Sequence, residues 1–251
     1  MSSVRVERRA SVCLLTVSRP EKKNALDRDT ALRLAHAIDE ASADQAMRGV
    51  VLLGEGDVFL SGGDLGEIAR ALEAPSGAAQ VLEMGEVLAA FERAEIPVVA
   101  AVTGDVFGGG CELLLLCDHV IAEERAGFSF RHARMGLSPA WGGAARLLER
   151  VGPLGAARLL FSAERVGARD AAAMGLVGAY VPDGTARAHA LAFLNEVSRA
   201  DRAVIAEQKR LLLALRAEAR GNAAAIETAA FRKLWGQPAH RTAMVRPPPR
   251  A

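Results

Sequence analysis

The stretch Val98-Val-Ala-Ala-Val-Thr-Gly-Asp-Val-Phe-Gly-Gly-Gly-Cys-Glu-Leu-Leu-Leu-Leu-Cys117 constrains the chain more than any other. An apolar, β-branched run enters three consecutive glycines and leaves as a helix that carries Glu112 in its first turn. A helix N-terminus exposes N–H groups without intrahelical partners at the positive end of the macrodipole. Glycines, which lack Cβ, let a ligand oxygen approach that backbone closely. The pattern reads as an anion-stabilising backbone site with Glu112 beside it, placed for proton transfer.

The same order of strand, glycines and helix occurs earlier, where Val58-Phe-Leu-Ser-Gly-Gly-Asp64 leads into Leu65-Gly-Glu-Ile-Ala-Arg-Ala-Leu72. Residues 11–17 read as an early strand that Arg19-Pro20 ends, because proline supplies no ladder donor. Leu32, Ala35 and Ile38 fall at helical spacing within 27–42, with Asp27 or Asp29 available as N-cap. A strand over 49–53, a turn or loop over 73–78 and a helix over 80–94 follow. Beyond 201 the strand signals stop and the chain turns helical, closing on Arg246-Pro-Pro-Pro-Arg250, a tail expected to fray. The alternation predicts an α/β fold, without a repeat of fixed sequence period.

Composition excludes several classes. With 51% hydrophobic and 24% charged residues, the 251-residue chain is not globally disordered and can build one domain with an appendage or two small ones. Net charge is +1 and acids are interleaved with the arginines, which argues against nucleic-acid partners. Cys13, Cys111 and Cys117 sit in or beside apolar runs without metal-type spacing, as expected of reduced thiols in a reducing, cytoplasmic setting. Neither a signal peptide nor a membrane span is expected. There is no G-x-G-x-x-G after a strand, no Walker A lysine and no H-E-x-x-H, so neither nucleotide binding of those kinds nor a metal is expected. Gly136-Leu-Ser-Pro-Ala140 only half resembles a nucleophile elbow.

Two glycine sites, Ser61-Gly62-Gly63-Asp64 and Gly108-Gly109-Gly110, could offer two backbone N–H groups to one oxygen. A thioester carbonyl that becomes an enolate needs such a pair, and losing one donor costs about 3 kcal/mol of barrier. From glycine content alone, tight turns are the simpler explanation.

Taken together, Arg19-Pro-Glu-Lys-Lys-Asn-Ala-Leu26, Phe59-Leu-Ser-Gly-Gly-Asp-Leu65, Gly104-Asp-Val-Phe-Gly-Gly-Gly-Cys-Glu112 and Met135-Gly-Leu-Ser-Pro-Ala-Trp-Gly-Gly143 resemble the crotonase (enoyl-CoA hydratase/isomerase) superfamily in order and spacing. The resemblance implies a spiral of ββα units over 1–195 with the coenzyme A site, and a helical oligomerisation region over 196–251. It also implies coenzyme A thioester substrates, no separate cofactor, and a homotrimer or hexamer. Position by position, the oxyanion donors would be the amides of Gly63 and Gly109, and Glu112 would stand where the first hydratase glutamate does. Lys22, Lys23, Ala25, Ser61, Asp64 and Leu65 would hold coenzyme A, and Trp141 would wall the acyl pocket. Read without the family, the lysines are a solvated turn, Asp64 and Glu112 favour helix N-termini, and Trp141 is core.

One departure matters: His132 occupies the position of the second hydratase glutamate. Phe130-Arg-His-Ala-Arg-Met-Gly-Leu-Ser-Pro-Ala-Trp-Gly-Gly143 resembles the ethylmalonyl-CoA decarboxylase branch of the family, as do Ser61-Gly-Gly-Asp64 and Leu234-Trp-Gly-Gln-Pro238. That branch implies loss of carbon dioxide from a short 2-carboxyacyl thioester, with His132 or Glu112 returning a proton. The alternatives are an enoyl-CoA hydratase or isomerase and, from another class, a non-catalytic scaffold that binds coenzyme A. A histidine at position 132 outside such a family would be a surface or packing residue.

Overall fold

In the computed structural model, which describes residues 2–246, the chain winds through repeated units of two strands and a helix. It opens with an antiparallel hairpin of β1 (Val4–Arg9) and β2 (Val12–Val17). The sequence reading contained no β1, because only Val4 of its six residues is buried. Its place comes from pairing with β2, and its charged side chains suit an exposed sheet edge. After a short turn of 3-10 helix at Pro20–Lys22 comes α1 (Arg28–Ala43), capped by Asp27, whose Oδ1 accepts the Thr30 N–H at 2.8 Å. Asp27, then, caps the helix, and Asp29 lies in its first turn.

Three successive units follow. The first holds β3 (Gly49–Gly54), β4 (Val58–Leu60), α2 (Leu65–Leu72), α3 (Gly77–Leu88) and α4 (Ala90–Arg93). The second holds β5 (Val98–Val102), β6 (Asp105–Phe107) and α5 (Gly109–Leu115); the third holds β7 (His119–Glu123), β8 (Gly127–Ser129) and α6 (Gly143–Ser162), which kinks at Gly152 before Pro153. Then come β9 (Val166–Gly167), α7 (Ala168–Ala173), β10 (Ala179–Val181), α8 (Ala186–Val197), α9 (Arg202–Arg220), α10 (Ala223–Leu234) and α11 (Pro238–Val245).

Each unit gives its first strand to a six-stranded sheet, ordered β1-β2-β3-β5-β7-β10, and its second to a four-stranded sheet, ordered β4-β6-β8-β9. Between successive units all strand pairings are parallel. The repeat leaves no sequence period because the connections differ so much in length: α2, α3 and α4 fill one, the seven-residue α5 another.

The larger sheet is buried on both faces, and its strands alternate accordingly. Cys13, Leu15, Val50 and Leu52 pack with α1, while Val12, Leu14, Val51 and Leu53 pack with Ala186, Ala190 and Leu194 of α8. Helix α8 is therefore core, and the sequence-based junction at 195/196 falls within its last turn; the irregular link before α9 spans 198–201. Residues 247–251, with the proline run, lie outside the described residues.

Helix α9 is tied to the core by the buried Lys209, whose Nζ donates to Asp118 Oδ2 at 2.7 Å and to the Ile96 carbonyl at 3.1 Å. A second tie joins the buried Glu92 to Arg146 of α6 and Arg220 of α9. Burial alone would raise the Glu92 carboxyl, but the two guanidiniums outweigh it and push it from 4.5 down to about 2. Stability from this group is thus present above the ordinary carboxylate range and is lost as pH falls toward the depressed value. Urea unfolding of Glu92→Gln should show a shallower loss between about pH 5 and pH 2 than the parent chain. Equal slopes would remove the ion pairs from the account.

Candidate active site

The two-sheet winding explains why two glycine turns far apart in sequence meet. Strands β4, β6 and β8 are parallel neighbours, so the corners that follow them stack side by side. The first corner carries Gly63, the second Gly109 and the third His132. A Cβ built on Gly62, whose φ is +94°, would stand 2.9 Å from the Gly109 nitrogen. Gly109 is the first residue of α5, and neither it nor Gly63 donates its N–H to any acceptor among the described residues. Gly108, at φ +51°, turns the chain so that this helix start faces the corner of β4.

These corners open on a cavity of about 410 Å³. Gly63, Gly109, Glu112, His132 and Trp141 line it together with Lys22, Lys23, Ala25, Ser61, Asp64 and Leu65, so every sequence-derived site residue borders one space. Trp141 is buried with its Nε1 donating to the Val81 carbonyl at 3.0 Å. Its ring seals both glycines: a Cβ on Gly109 would lie 2.3 Å from Trp141 Cζ3, and one on Gly63 3.8 Å from Cζ2.

Glu112 is 2% exposed and fully engaged. Its Oε2 accepts the N–H groups of Trp141 at 2.8 Å and Gly143 at 3.0 Å, with Ala140 at 3.2 Å. Oε1 lies 2.9 Å from His132 Nε2. A carboxylate can only accept, so Nε2 carries the hydrogen in this pair, and Nδ1 is the nitrogen left buried without a partner. Glycine at 143 is what permits the contact, since a Cβ there would sit 2.5 Å from Glu112 Oε2.

Asp64 lines the cavity, but its side chain is occupied. Oδ1 caps α2 through the Gly66 amide at 2.9 Å, and Oδ2 pairs with Arg19 at 3.1 Å. Burial would raise this carboxyl; the amides of Glu67 and Gly66 and the Arg19 charge hold it below the usual range. Lys22 and Lys23 stand at the rim formed by the 3-10 turn, where Ser61 Oγ donates to the Lys22 carbonyl at 3.4 Å. That turn is clamped by the buried Asn24, whose amide nitrogen donates to the carbonyls of Glu55 and Val58 at 2.7 and 2.8 Å.

Sequence reasoning missed Glu227. From α10 it reaches the N-terminus of α6, accepting the amides of Gly142 at 2.6 Å and Ala144 at 2.8 Å, between which lies the amide that Glu112 takes. Phe231, one turn on, and Met244 of α11 line the cavity. The available signal was a lone acid in the Ala-rich run 223–231, on the same helical face as Phe231. Burial, and then the charge of Glu112, raise the Glu227 carboxyl despite its two amides. A raised folded value means the parent chain loses stability as pH climbs through that window. Glu227→Gln should therefore become more stable relative to the parent as pH rises above 4.5, measured by urea unfolding. A pH-independent difference would overturn this reading.

No group of three potential metal-binding side chains occurs among the described residues, and no described helix is long and apolar enough to cross a membrane. Cys13, Cys111 and Cys117 are free and buried; burial pushes the Cys117 thiol up to about 12 and raises Cys111 as well.

Known proteins resemble this chain in sequence and in fold. A 2,3-dehydroadipyl-CoA hydratase of Escherichia coli (strain K12) is 34% identical over 199 residues, 79% of this chain and 77% of that protein. An ethylmalonyl-CoA decarboxylase of Danio rerio is 32% identical over 245 residues, 95% of this chain and 81% of that protein. The crystal structure of an enoyl-CoA hydratase from Bacillus halodurans superposes with a TM-score of 0.89 at 25% identity, covering 97% of this chain and 99% of that one. The family model for enoyl-CoA hydratase/isomerase matches residues 7–245. Likeness in sequence and in winding thus agrees over almost the whole length, and the chain belongs to the enoyl-CoA hydratase/isomerase family, with the crotonase fold.

Proposed function

We propose that the chain decarboxylates a short 2-carboxyacyl-CoA of the ethylmalonyl or methylmalonyl type. The thioester oxygen sits between the Gly63 and Gly109 amides. The bond from C2 to its carboxylate carbon breaks, carbon dioxide leaves, and the electron pair passes into the thioester as an enolate whose oxygen the two amides stabilise. His132 then delivers a proton to C2 through Nδ1, the nitrogen that no described protein group holds, and the proton is replaced from solvent once product has left. Glu112 fixes the imidazole through Nε2. The electrons rest on the substrate's own thioester, so this step asks for no separate electron sink.

One observation carries the reading: Glu112 is saturated by backbone amides and by His132. Water addition across an enoyl thioester is commonly run by two carboxylates that share a water; here the first is engaged and the second position is an imidazole. The hydratase alternative draws its support from relatives of that name, including the crotonyl-CoA hydratase of Syntrophomonas wolfei subsp. wolfei, 35% identical over 179 residues. Incubation with methylmalonyl-CoA, ethylmalonyl-CoA and crotonyl-CoA separates the two. Carbon dioxide release with crotonyl-CoA left intact is expected; hydration of crotonyl-CoA without decarboxylation would falsify the proposal.

Coenzyme A would lie along Lys22, Lys23, the Ala25 backbone, Ser61 and Leu65, with Trp141 at the acyl end. The three buried thiols suit a reducing, cytoplasmic compartment. Self-association as a homotrimer or hexamer would cover Leu211, Leu212 and Leu215 of α9 and Leu154 and Phe161 of α6, all exposed in the single chain. Light scattering on the eluted protein should give a multiple of the 26.4 kDa chain mass. A monodisperse monomer would count against assembly.

A further inference from the structure

The cavity contains one cation that the mechanism above does not use. Arg131, in the corner after β8, lies with its guanidinium carbon 4.0 Å from the centroid of the Phe107 ring. Both residues line the cavity. Nε and Nη2 of Arg131 are buried and without a hydrogen-bond partner, and no acid forms an ion pair with it among the described residues. The acid whose field reaches it, Asp105, is held by Arg165 at 2.7 Å. A guanidinium presents donors in a planar fork that matches a carboxylate, and stacking on an aromatic face leaves that fork's edge free. Leaving such donors desolvated and unpaired is costly, and an anion reaching the guanidinium from the cavity would offset that cost.

We infer that Arg131 is a subsite for the carboxylate on the acyl group of the bound thioester. This deepens the proposed function and rests on it for the identity of the acyl group. Position favours the acyl carboxylate over a coenzyme A phosphate. Arg131 adjoins His132 in sequence and stacks on the residue two before Gly109, whereas the phosphates lie at the far end of the pantetheine arm. Burial and the neighbouring Arg134 both work against the charge of Arg131, which an incoming carboxylate would relieve. The departing carboxylate loses its charge as carbon dioxide forms. Pairing with Arg131 is therefore strongest in the bound substrate and supports KM rather than kcat.

Isothermal titration of the full chain with inert thioethers tests this apart from turnover. The probes are 2-carboxypropyl-CoA, isobutyl-CoA, in which a methyl replaces the carboxylate, and free coenzyme A. The parent chain should bind the carboxylated thioether about 10- to 100-fold more tightly than the isobutyl one. Arg131→Ala, and Arg131→Gln, which keeps most of the side chain's length, should both abolish that preference. Binding of isobutyl-CoA and of coenzyme A should stay unchanged, which also reports that the variants are folded. With methylmalonyl-CoA, the variants should raise KM without lowering kcat. The subsite is overturned if the parent shows no preference, if the preference survives in the variants, or if free coenzyme A weakens in parallel, which would make the anion a phosphate. Should the preference depend on Arg131 while methylmalonyl-CoA yields no carbon dioxide, the reaction reading fails and the subsite stands.

Discussion

His132→Ala is expected to lower turnover of the 2-carboxyacyl thioester by roughly 10²- to 10⁴-fold, the usual worth of a positioned general acid. Affinity for coenzyme A should change little, because the lysine rim is formed by a different corner of the winding. The imidazole stands on a short 3-10 turn with Nε2 fixed at 2.9 Å from Glu112. Alanine would leave one oxygen of the buried carboxylate without the side-chain donor it has in His132, so a loss of stability is expected as well. Stopped-time carbon dioxide assays and thermal melts separate the two effects, and added imidazole should restore part of the rate. Full activity in this variant would remove His132 from the chemistry.

Gly109→Ala should be comparably damaging for another reason. Its Cβ would stand 2.3 Å from Trp141 Cζ3 and 2.7 Å from Cη2, far inside contact distance. The ring cannot swing aside freely, because its Nε1 is bonded to the Val81 carbonyl. Either the indole or the Gly109 amide must move, and displacing one oxyanion donor typically costs about 10²- to 10³-fold in kcat. Gly167→Ala is the control: a Cβ there meets nothing within 4 Å, and φ is −72°. If the two variants behave alike, the amide of Gly109 has no special role.

Much of the fold was legible because burial on two faces leaves a strong pattern. Residues 11–17, 49–53 and 98–102 are β-branched and apolar, and they became β2, β3 and β5 of the central sheet. Asp27 and Asp64 precede helices and cap them. The edge strand β1 was invisible, since its residues face solvent and its conformation is set by a partner strand. The ββα repeat was hidden for a related reason: it resides in strand pairing, and connections of unequal length between strands that need only be apolar leave no fixed sequence period.

The site divided along the same line. Glycines followed by a carboxylate are local chemistry, so Gly63, Gly109 and Glu112 could be named from the chain. What each group is free to do depends on neighbours distant in sequence. Glu112 is saturated by the loop at 140–143, Glu227 arrives from α10, and Arg131 finds an aromatic face on Phe107 but no acid among the described residues.

By itself, then, the sequence determined which segments extend or coil and which backbone amides stand at helix starts, since those follow from residue size, branching and the missing Cβ of glycine. Only the tertiary structure decided that three corners face one cavity, that the glutamate is held while the histidine keeps a nitrogen free, and that an arginine there has no counterion among the described residues. Hydrogen-bond saturation and desolvation are properties of the space between chain segments, and no stretch of the chain encodes that space alone.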